Sequence, residues 1–144
     1  MRIVSSSPLG SVVKSLLASG FCLILAAGAH ALSIGEIALH SKLGEPLRAS
    51  VDLKHLGTVA PGELVVGQAG EADYRTYGMQ RPEFSGDLQF ELVVDAGGAP
   101  RVQITTERPV GEPFVDLVLR IRWPTGHAVK QFTLLLDPPD QPVE

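Results

Sequence analysis

The sequence predicts a mostly β protein, a small β-sandwich that contains one short helix. Apolar side chains alternate with polar ones in several short runs, and sequences rich in Gly and Pro separate those runs. Alternation with period two is what a strand with one buried face produces. Several such strands, interrupted by turn sequences about every eight to twelve residues, are typical of a sandwich.

Residues 1–31 predict a secretory signal peptide rather than part of the fold. Arg2 and Lys14 are the only Lys, Arg, Asp or Glu residues in this stretch, and an uncharged, mostly apolar run follows them. The run ends with the small residues Ala29 and Ala31, the pattern of a cleavage site, so we predict cleavage after Ala31. An uncleaved anchor is the alternative reading, but a span needs about 20 apolar residues and this run is shorter. The prediction places the mature protein in the periplasm.

The charge of the chain argues against nucleic acid as a partner. The full sequence has 12 Lys plus Arg against 16 Asp plus Glu, a net charge of -4. Cleavage would remove two basic residues and leave 10 against 16, a net charge of -6 on 113 residues. A nucleic-acid binder needs a basic face to displace counterions from phosphates. The single cysteine, Cys22, lies in the leader, so no disulfide is expected.

The remaining chain is long enough for one domain with a modest core. We assign this β domain to residues 32–139 and a flexible tail to residues 140–144, where Pro and acidic residues recur. No further apolar run is long enough to cross a membrane, so no membrane span is expected after cleavage. The sequence leaves the oligomeric state open.

Six strands follow from the alternation. They cover residues 34–39, 47–53, 88–94, 101–105, 115–123 and 132–136, the first being the weakest. Residues 95–100 predict a hairpin loop in which Gly supplies a positive φ. Pro124, Thr125 and Gly126 predict a tight turn with Gly126 in the left-handed region. Two prolines make residues 108–113 a crossover, because proline cannot donate to a strand ladder.

One stretch between the strands predicts the short helix. Residues 71–78 carry two acids in what would be the first turn, and Gly78 is placed to end the helix. Tyr74 and Tyr77 are three residues apart and would lie on the same side. We expect these two tyrosines to seat the helix on the edge of a sheet.

The sequence predicts no catalytic residue, no bound cofactor and no metal site. The serines have no recognisable base partner, and the histidines show no i, i+4 spacing. The residues concerned are Ser41, Ser50, Ser85, His40, His55 and His127. Two alternatives stay open: the three histidines converge on a metal, or two carboxylates form a glycoside-hydrolase pair. The carboxylates considered for the second are Glu36, Glu45, Glu83 and Asp87.

Two features of the longest strand pattern suggest binding. Trp123 is the only tryptophan and lies in phase with the apolar face, so it is either a core residue or a platform for a sugar. Arg120 and Arg122 lie on the opposite face and would form a positive strip on an acidic domain. We mark these two arginines as candidate partner-binding residues. The alternative is that they are solvated charges that deter pairing between sheets.

Several ordered motifs resemble one family. They are Gly35-Glu36-Ile37-Ala38-Leu39-His40-Ser41, Leu43-Gly44-Glu45-Pro46-Leu47-Arg48-Ala49, Arg81-Pro82-Glu83-Phe84-Ser85-Gly86-Asp87-Leu88, Glu112-Pro113-Phe114-Val115-Asp116-Leu117, Trp123-Pro124-Thr125-Gly126 and Phe132-Thr133-Leu134-Leu135-Leu136-Asp137-Pro138-Pro139. Together they resemble the N-terminal periplasmic domain of the FimV family, envelope proteins that assemble type IV pilus machinery and mark the cell pole. The resemblance covers about residues 33–139. The LysM, transmembrane and cytoplasmic parts typical of the family are not among these 144 residues.

The resemblance implies a non-catalytic domain that binds envelope or pilus-machinery proteins and takes part in pilus assembly, envelope assembly or polar organisation. It implies no catalytic or cofactor residues. The proline-flanked crossover and the long strand before the last turn also resemble immunoglobulin-like envelope domains, which add a partner strand at an exposed edge. The expected fold is therefore a small immunoglobulin-like β-sandwich. The alternative function is a glycan (peptidoglycan)-binding module that uses Trp123.

Overall fold

A computed structural model of the chain describes residues 31–141. The predicted leader therefore lies outside the described residues, apart from Ala31. Seven strands and one α-helix follow one another along the chain: β1 (Ser33–Leu39), β2 (Pro46–Lys54), β3 (Val65–Gln68), α1 (Glu71–Thr76), β4 (Gln89–Val94), β5 (Pro100–Pro109), β6 (Phe114–Trp123) and β7 (Gly126–Leu135). Two short 3-10 turns, Pro61–Glu63 and Glu83–Asp87, flank β3 and α1.

The strands form two antiparallel sheets with the connectivity of an immunoglobulin domain. The four-stranded sheet has the order β1-β2-β5-β4, and the three-stranded sheet has the order β3-β6-β7. These orders correspond to the ABED and CFG sheets of a seven-stranded constant-type domain. The predicted fold, a small immunoglobulin-like β-sandwich with one short helix, is confirmed. Within residues 31–141 no helix has the length and apolar character needed to cross a bilayer.

The core lies between the two sheets and consists of the alternate side chains that the sequence pattern indicated. The fully buried members come from the central strands β2, β5 and β6: Leu47, Val51, Val102, Ile104, Leu117, Leu119 and Ile121. Phe132 and Leu134 of β7 complete this layer. Aliphatic and aromatic residues of this kind fit the half-buried surface of a pleated strand. Without a disulfide in the described domain, burial of these side chains is what holds the sheets together.

The sequence does not predict one observed strand, β3, and it predicts two others too short: β5 continues to Pro109 beyond the predicted end at Thr105, and β7 begins early. β3 has only four residues, which is too short for alternation to be recognised, and its strand conformation depends on antiparallel pairing with β6. β7 begins at Gly126, six residues before the predicted start at Phe132. Residues 127–131 do not alternate cleanly, but the hairpin pairs all ten residues of β7 with β6.

The turns agree with the sequence in one case and differ in another. Gly98 has the expected positive φ of 78° in the loop between β4 and β5. Gly126 is not among the residues with positive φ, so the prediction that it adopts the left-handed region was wrong. Glycine is favoured there for a different reason: a Cβ at Gly126 would lie 3.1 Å from the Trp123 indole. The tight turn itself is present, with Pro124 and Thr125 between the two strands.

The helix α1 is where the sequence placed it, but it packs differently. Gly78 has a φ of 66° and donates to the carbonyl of Arg75, while Met79 N–H donates to the carbonyl of Tyr74. These two bonds form a Schellman motif. The helix packs over Val118 of β6, beside the point where β3 ends. Tyr74 alone is buried there, and Tyr77 is 42% exposed, so the expectation that both tyrosines seat the helix was wrong.

Lys130 closes one side of the sandwich by joining edge strands of the two sheets. Its Nζ, on β7, donates to the backbone oxygens of Ile34 and Gly35 at 3.2 and 2.9 Å and contacts Glu36 Oε1 at 3.0 Å. The register of β1 against β2 shifts between Ile34 and Ile37, which is a bulge that brings these carbonyls together. The lysine therefore joins β7 to the bulged part of β1.

We expect Lys130→Met to lower the free energy of unfolding by about 1–2 kcal/mol, because two carbonyls lose a charged donor. Hydrogen exchange of the β1 amides should accelerate at the same time, since the strand is held to β7 by this side chain. Lys54→Met, at the exposed end of β2, is the matched control. Equal β1 exchange in both variants would show that Lys130 does not hold the strand.

The end of the described chain contacts the rest of the domain through three residues. Leu136 is buried, and the carbonyl of Asp137 accepts a hydrogen bond from Leu43 N–H at 2.8 Å. Asp140 forms an ion pair with Lys42, and its hydrogen bond raises the pKa of that lysine. Residues 142–144 of the predicted tail lie outside the described part.

Candidate interaction surface

The outer face of the three-stranded sheet carries the candidate site. By outer face we mean the side chains of β6 and β7 that point away from the core. They form five cross-strand pairs: Phe114–Leu135, Asp116–Thr133, Val118–Gln131, Arg120–Val129 and Arg122–His127. β3 extends the face at one end, where Val65 pairs with Arg122.

The helix α1 divides this face into two exposed ends. Tyr74 is 1% exposed and packs with Ala69 and Val118 in a small second core on the outside of the sheet. Its Oη accepts hydrogen bonds from Val118 N–H at 3.0 Å and Gln68 Nε2 at 2.9 Å. What remains open is an apolar end beyond Asp116 and a basic end around Arg122.

Phe114 and Leu135 form the apolar end, and we call them the apolar pair. They are directly opposite each other in the register of β6 and β7. Phe114 is 64% exposed and Leu135 is 63% exposed, the two largest values among the exposed large hydrophobic residues of the described chain. Single exposed apolar residues are common, but two opposite each other form a contiguous patch, which is typical of a binding surface.

A groove of about 240 Å³ runs beside the Phe114 ring. Gln80, Arg81 and Pro82 also line it. Three carboxylates line it: Glu83, Glu112 and Asp116, which we call the acidic rim. Among the ion pairs of residues 31–141, none involves a member of the acidic rim. Asp116 accepts a hydrogen bond from Thr133 Oγ1 at 2.9 Å, so its position is fixed by the neighbouring strand.

The basic end contains the two arginines that the sequence analysis marked. Both lie on the outer face, as their phase in β6 predicted, beside a groove of about 230 Å³ over Gly67. Arg120 contacts Asp73 of α1 at 3.3 Å, and its buried Nε has no partner among the described residues. Arg122 is exposed. The two arginines therefore differ: α1 fixes Arg120, and Arg122 faces solvent.

The apolar pair was not marked from the sequence, although the sequence contains a signal for it. In a half-buried strand the residue beside a core position is normally polar. Phe114 stands next to the core residue Val115, and Leu135 stands between the buried residues Leu134 and Leu136. A large apolar residue on the polar phase of a strand indicates exposed apolar surface.

Trp123 lies at the end of β6 and packs partly against the core. The indole lies close to the turn, since a Cβ at Gly126 would be 3.1 Å from it. A sugar-binding tryptophan needs an open ring face for stacking. The half-buried position is the one expected of a core residue and is less suited to the glycan alternative.

The other sheet brings together one serine and one histidine that the sequence did not connect. His40 Nε2 lies 2.8 Å from Ser50 Oγ, beside a groove of about 220 Å³. A nucleophilic serine also needs a group that orients the histidine and donors for the oxyanion. Asp52, two residues after Ser50 on β2, binds Arg101 at 2.8 Å instead. Within residues 31–141 no hydrogen bond joins His40 to a carboxylate.

The other candidate chemical groups are scattered. His55 contacts Ser33 at 3.0 Å, His127 is exposed on β7, and no cluster of metal-binding side chains occurs within residues 31–141. Three of the four carboxylates considered for hydrolysis have structural contacts: Glu36 with Lys130, Glu45 with Lys42 N–H, and Asp87 with Arg108.

Comparison with known proteins gives one family and one set of relatives. Residues 32–139 match the family described as FimV N-terminal domain, Ig-like domain. The motility hub protein FimV from two strains of Pseudomonas aeruginosa is 33% identical over 132 residues, which cover 91% of this chain. The matched region is 14% of the length of those relatives.

A solved structure is also similar, at low identity. It is the BIgI domain of beta protein from S. agalactiae bound to CEACAM1, with 15% identity and a TM-score of 0.39, covering 73% of this chain and 100% of that one. The strand order described above identifies the fold without it. From the match over residues 32–139, the chain belongs to the FimV N-terminal, immunoglobulin-like domain family.

Proposed function

We propose that the chain is a non-catalytic, periplasmic protein-interaction domain that takes part in type IV pilus or envelope assembly, or in polar organisation. Its partners are envelope or pilus-machinery proteins. The observation that carries the proposal is the exposed apolar pair on the outer face of the three-stranded sheet. Membership of the family and relatives named motility hub proteins support the link to motility.

Two further observations support binding rather than catalysis. The apolar pair is presented by regular strands whose neighbouring positions, Val115 and Leu134, are buried in the core. A rigid surface of this kind loses little conformational entropy when it binds a partner. Among the described residues, His40 has no hydrogen bond to a carboxylate, the group that orients the histidine in acyl transfer.

The sequence supports the periplasmic location and the chain organisation. In this proposal residues 1–31 direct export and are removed, residues 32–139 form the domain, and residues 140–144 form a flexible tail. Arg120 and Arg122 act as a second partner contact at the basic end. Of the two, Arg122 would contribute more, because Asp73 already neutralises part of the charge of Arg120.

Pull-down from periplasmic extract tests the function. The full chain, exported with a C-terminal tag, should retain envelope or pilus-machinery proteins that mass spectrometry identifies after mild cross-linking. An exported immunoglobulin-like domain of unrelated sequence and similar charge is the control bait. Arg122→Glu should reduce recovery without changing the thermal unfolding midpoint. Equal recovery by the control bait, or no envelope partner at all, would contradict the proposal.

A further inference from the structure

We propose that the apolar pair and the acidic rim bind one kind of partner segment: a stretch that carries a large apolar side chain beside Lys or Arg. This inference deepens the proposed function and rests on it, since it names the chemistry of the partner at the same face.

The apolar part of the segment follows from the exposure of Phe114 and Leu135. Both side chains are more than three-fifths exposed and lie opposite each other, so one apolar side chain can cover both. Burying apolar surface is the main favourable contribution to most protein association. Aromatic anchors at the centre of a patch are also enriched among residues that dominate binding energy.

The basic part of the segment follows from the charges around Phe114. The acidic rim contributes three carboxylates, and none of them has an ion-pair partner within the described residues. The one cation in the same groove, Arg81, donates to Gln68 Oε1 at 3.0 Å and is held on that side. Elsewhere on the domain carboxylates such as Asp52 and Asp87 are paired internally. At this groove the complementary charges therefore come from the partner.

The site is preorganised for such a segment. Leu136 N–H donates to the carbonyl of Pro113 at 2.9 Å, which ties together the ends of β6 and β7 where the apolar pair lies. Thr133 fixes Asp116 on the next register pair. Apolar and acidic groups are thus held side by side before binding, which reduces the entropic cost of association.

Titration of the purified full chain with synthetic twelve-residue peptides tests the inference. One peptide alternates Leu with Lys, a second alternates Leu with Glu, and a third alternates Ser with Lys. In NMR spectra, the backbone amide chemical shifts of the chain should change with the Leu/Lys peptide only. The changes should be concentrated around Phe114 and Leu135. Its affinity should fall as salt is raised, because exposed charges are screened. Equal binding of the Leu/Glu peptide, shifts centred elsewhere, or no shifts would overturn the inference.

Two matched variants locate the contact. Phe114→Ser should lower the affinity for the Leu/Lys peptide by about tenfold or more, which is the effect of removing a dominant interface residue. Val65→Ser is the control, because Val65 is 55% exposed on the same face at the basic end. Equal loss in both variants would overturn the assignment to the apolar pair. Self-association of the chain that is abolished by Phe114→Ser would also overturn the assignment. In that case the apolar pair would bind a second copy of the chain.

The peptide and the pull-down experiments can fail separately. Recovery of envelope partners that survives Phe114→Ser and high salt supports the proposed function and overturns the inference. Binding of the Leu/Lys peptide at the apolar pair, with no envelope partner recovered, supports the inference about the surface and contradicts the proposed function.

Discussion

Leu119→Ala is expected to lower the free energy of unfolding by about 2–5 kcal/mol, the range for deleting a buried leucine side chain. Leu119 is 0% exposed and lies in β6, where it is paired with Gln68 on one side and Lys130 on the other. A cavity at this position cannot collapse easily, because strands on both sides hold the backbone. Domains of this size are stable by roughly 5–15 kcal/mol, so the variant should lose a large part of its stability.

Equilibrium unfolding in urea measures the effect, and Leu135→Ala is the control. Leu135 is the same residue type in the adjacent strand but is 63% exposed, so its loss should change stability by about 0.5 kcal/mol or less. Similar losses in the two variants would show that the core does not lie between the sheets as described. A normal midpoint for Leu119→Ala would show the same.

The strands that the sequence predicts best are those that bury one complete face. β2 and β6 each have neighbours on both sides in their sheets and bury a core residue at every second position, so their pattern is easily recognised. β3 lies at an edge and includes Gly67, so little in its four residues distinguishes it from a loop. Its conformation is imposed by pairing with β6, which is a tertiary effect that local pattern does not contain.

The candidate site was partly predictable for the same reason. The alternation in β6 placed Arg120 and Arg122 on the face away from the core, where the structure has them. The sequence does not show that α1 crosses this face and contacts Arg120 through Asp73, because helix packing depends on the sheet order. The pairing of Phe114 with Leu135 likewise depends on the β6–β7 register, which only the complete hairpin defines.

Tyr74 packs its ring in the second core and also accepts a backbone hydrogen bond. Its replacement is therefore the second variant with a large expected effect on the free energy of unfolding. The ring is 1% exposed and packs on Ala69 and Val118, outside the main core. Its Oη accepts from Val118 N–H at the point where β3 ends and the ladder to β6 stops. Tyr74→Ala should cost about 3–5 kcal/mol, the range for removing a buried aromatic ring.

Tyr74→Phe separates the hydroxyl from the ring. It keeps the packing but leaves Val118 N–H buried without an acceptor, which should cost about 1–3 kcal/mol. Tyr77→Phe is the matched control, because Tyr77 is 42% exposed and should change stability little. Hydrogen exchange at Val118 should accelerate in Tyr74→Phe and not in Tyr77→Phe. If Tyr74→Phe unfolds like the unmodified chain while Tyr74→Ala does not, the ring alone holds α1 on the sheet and the hydroxyl does not continue the ladder of β6.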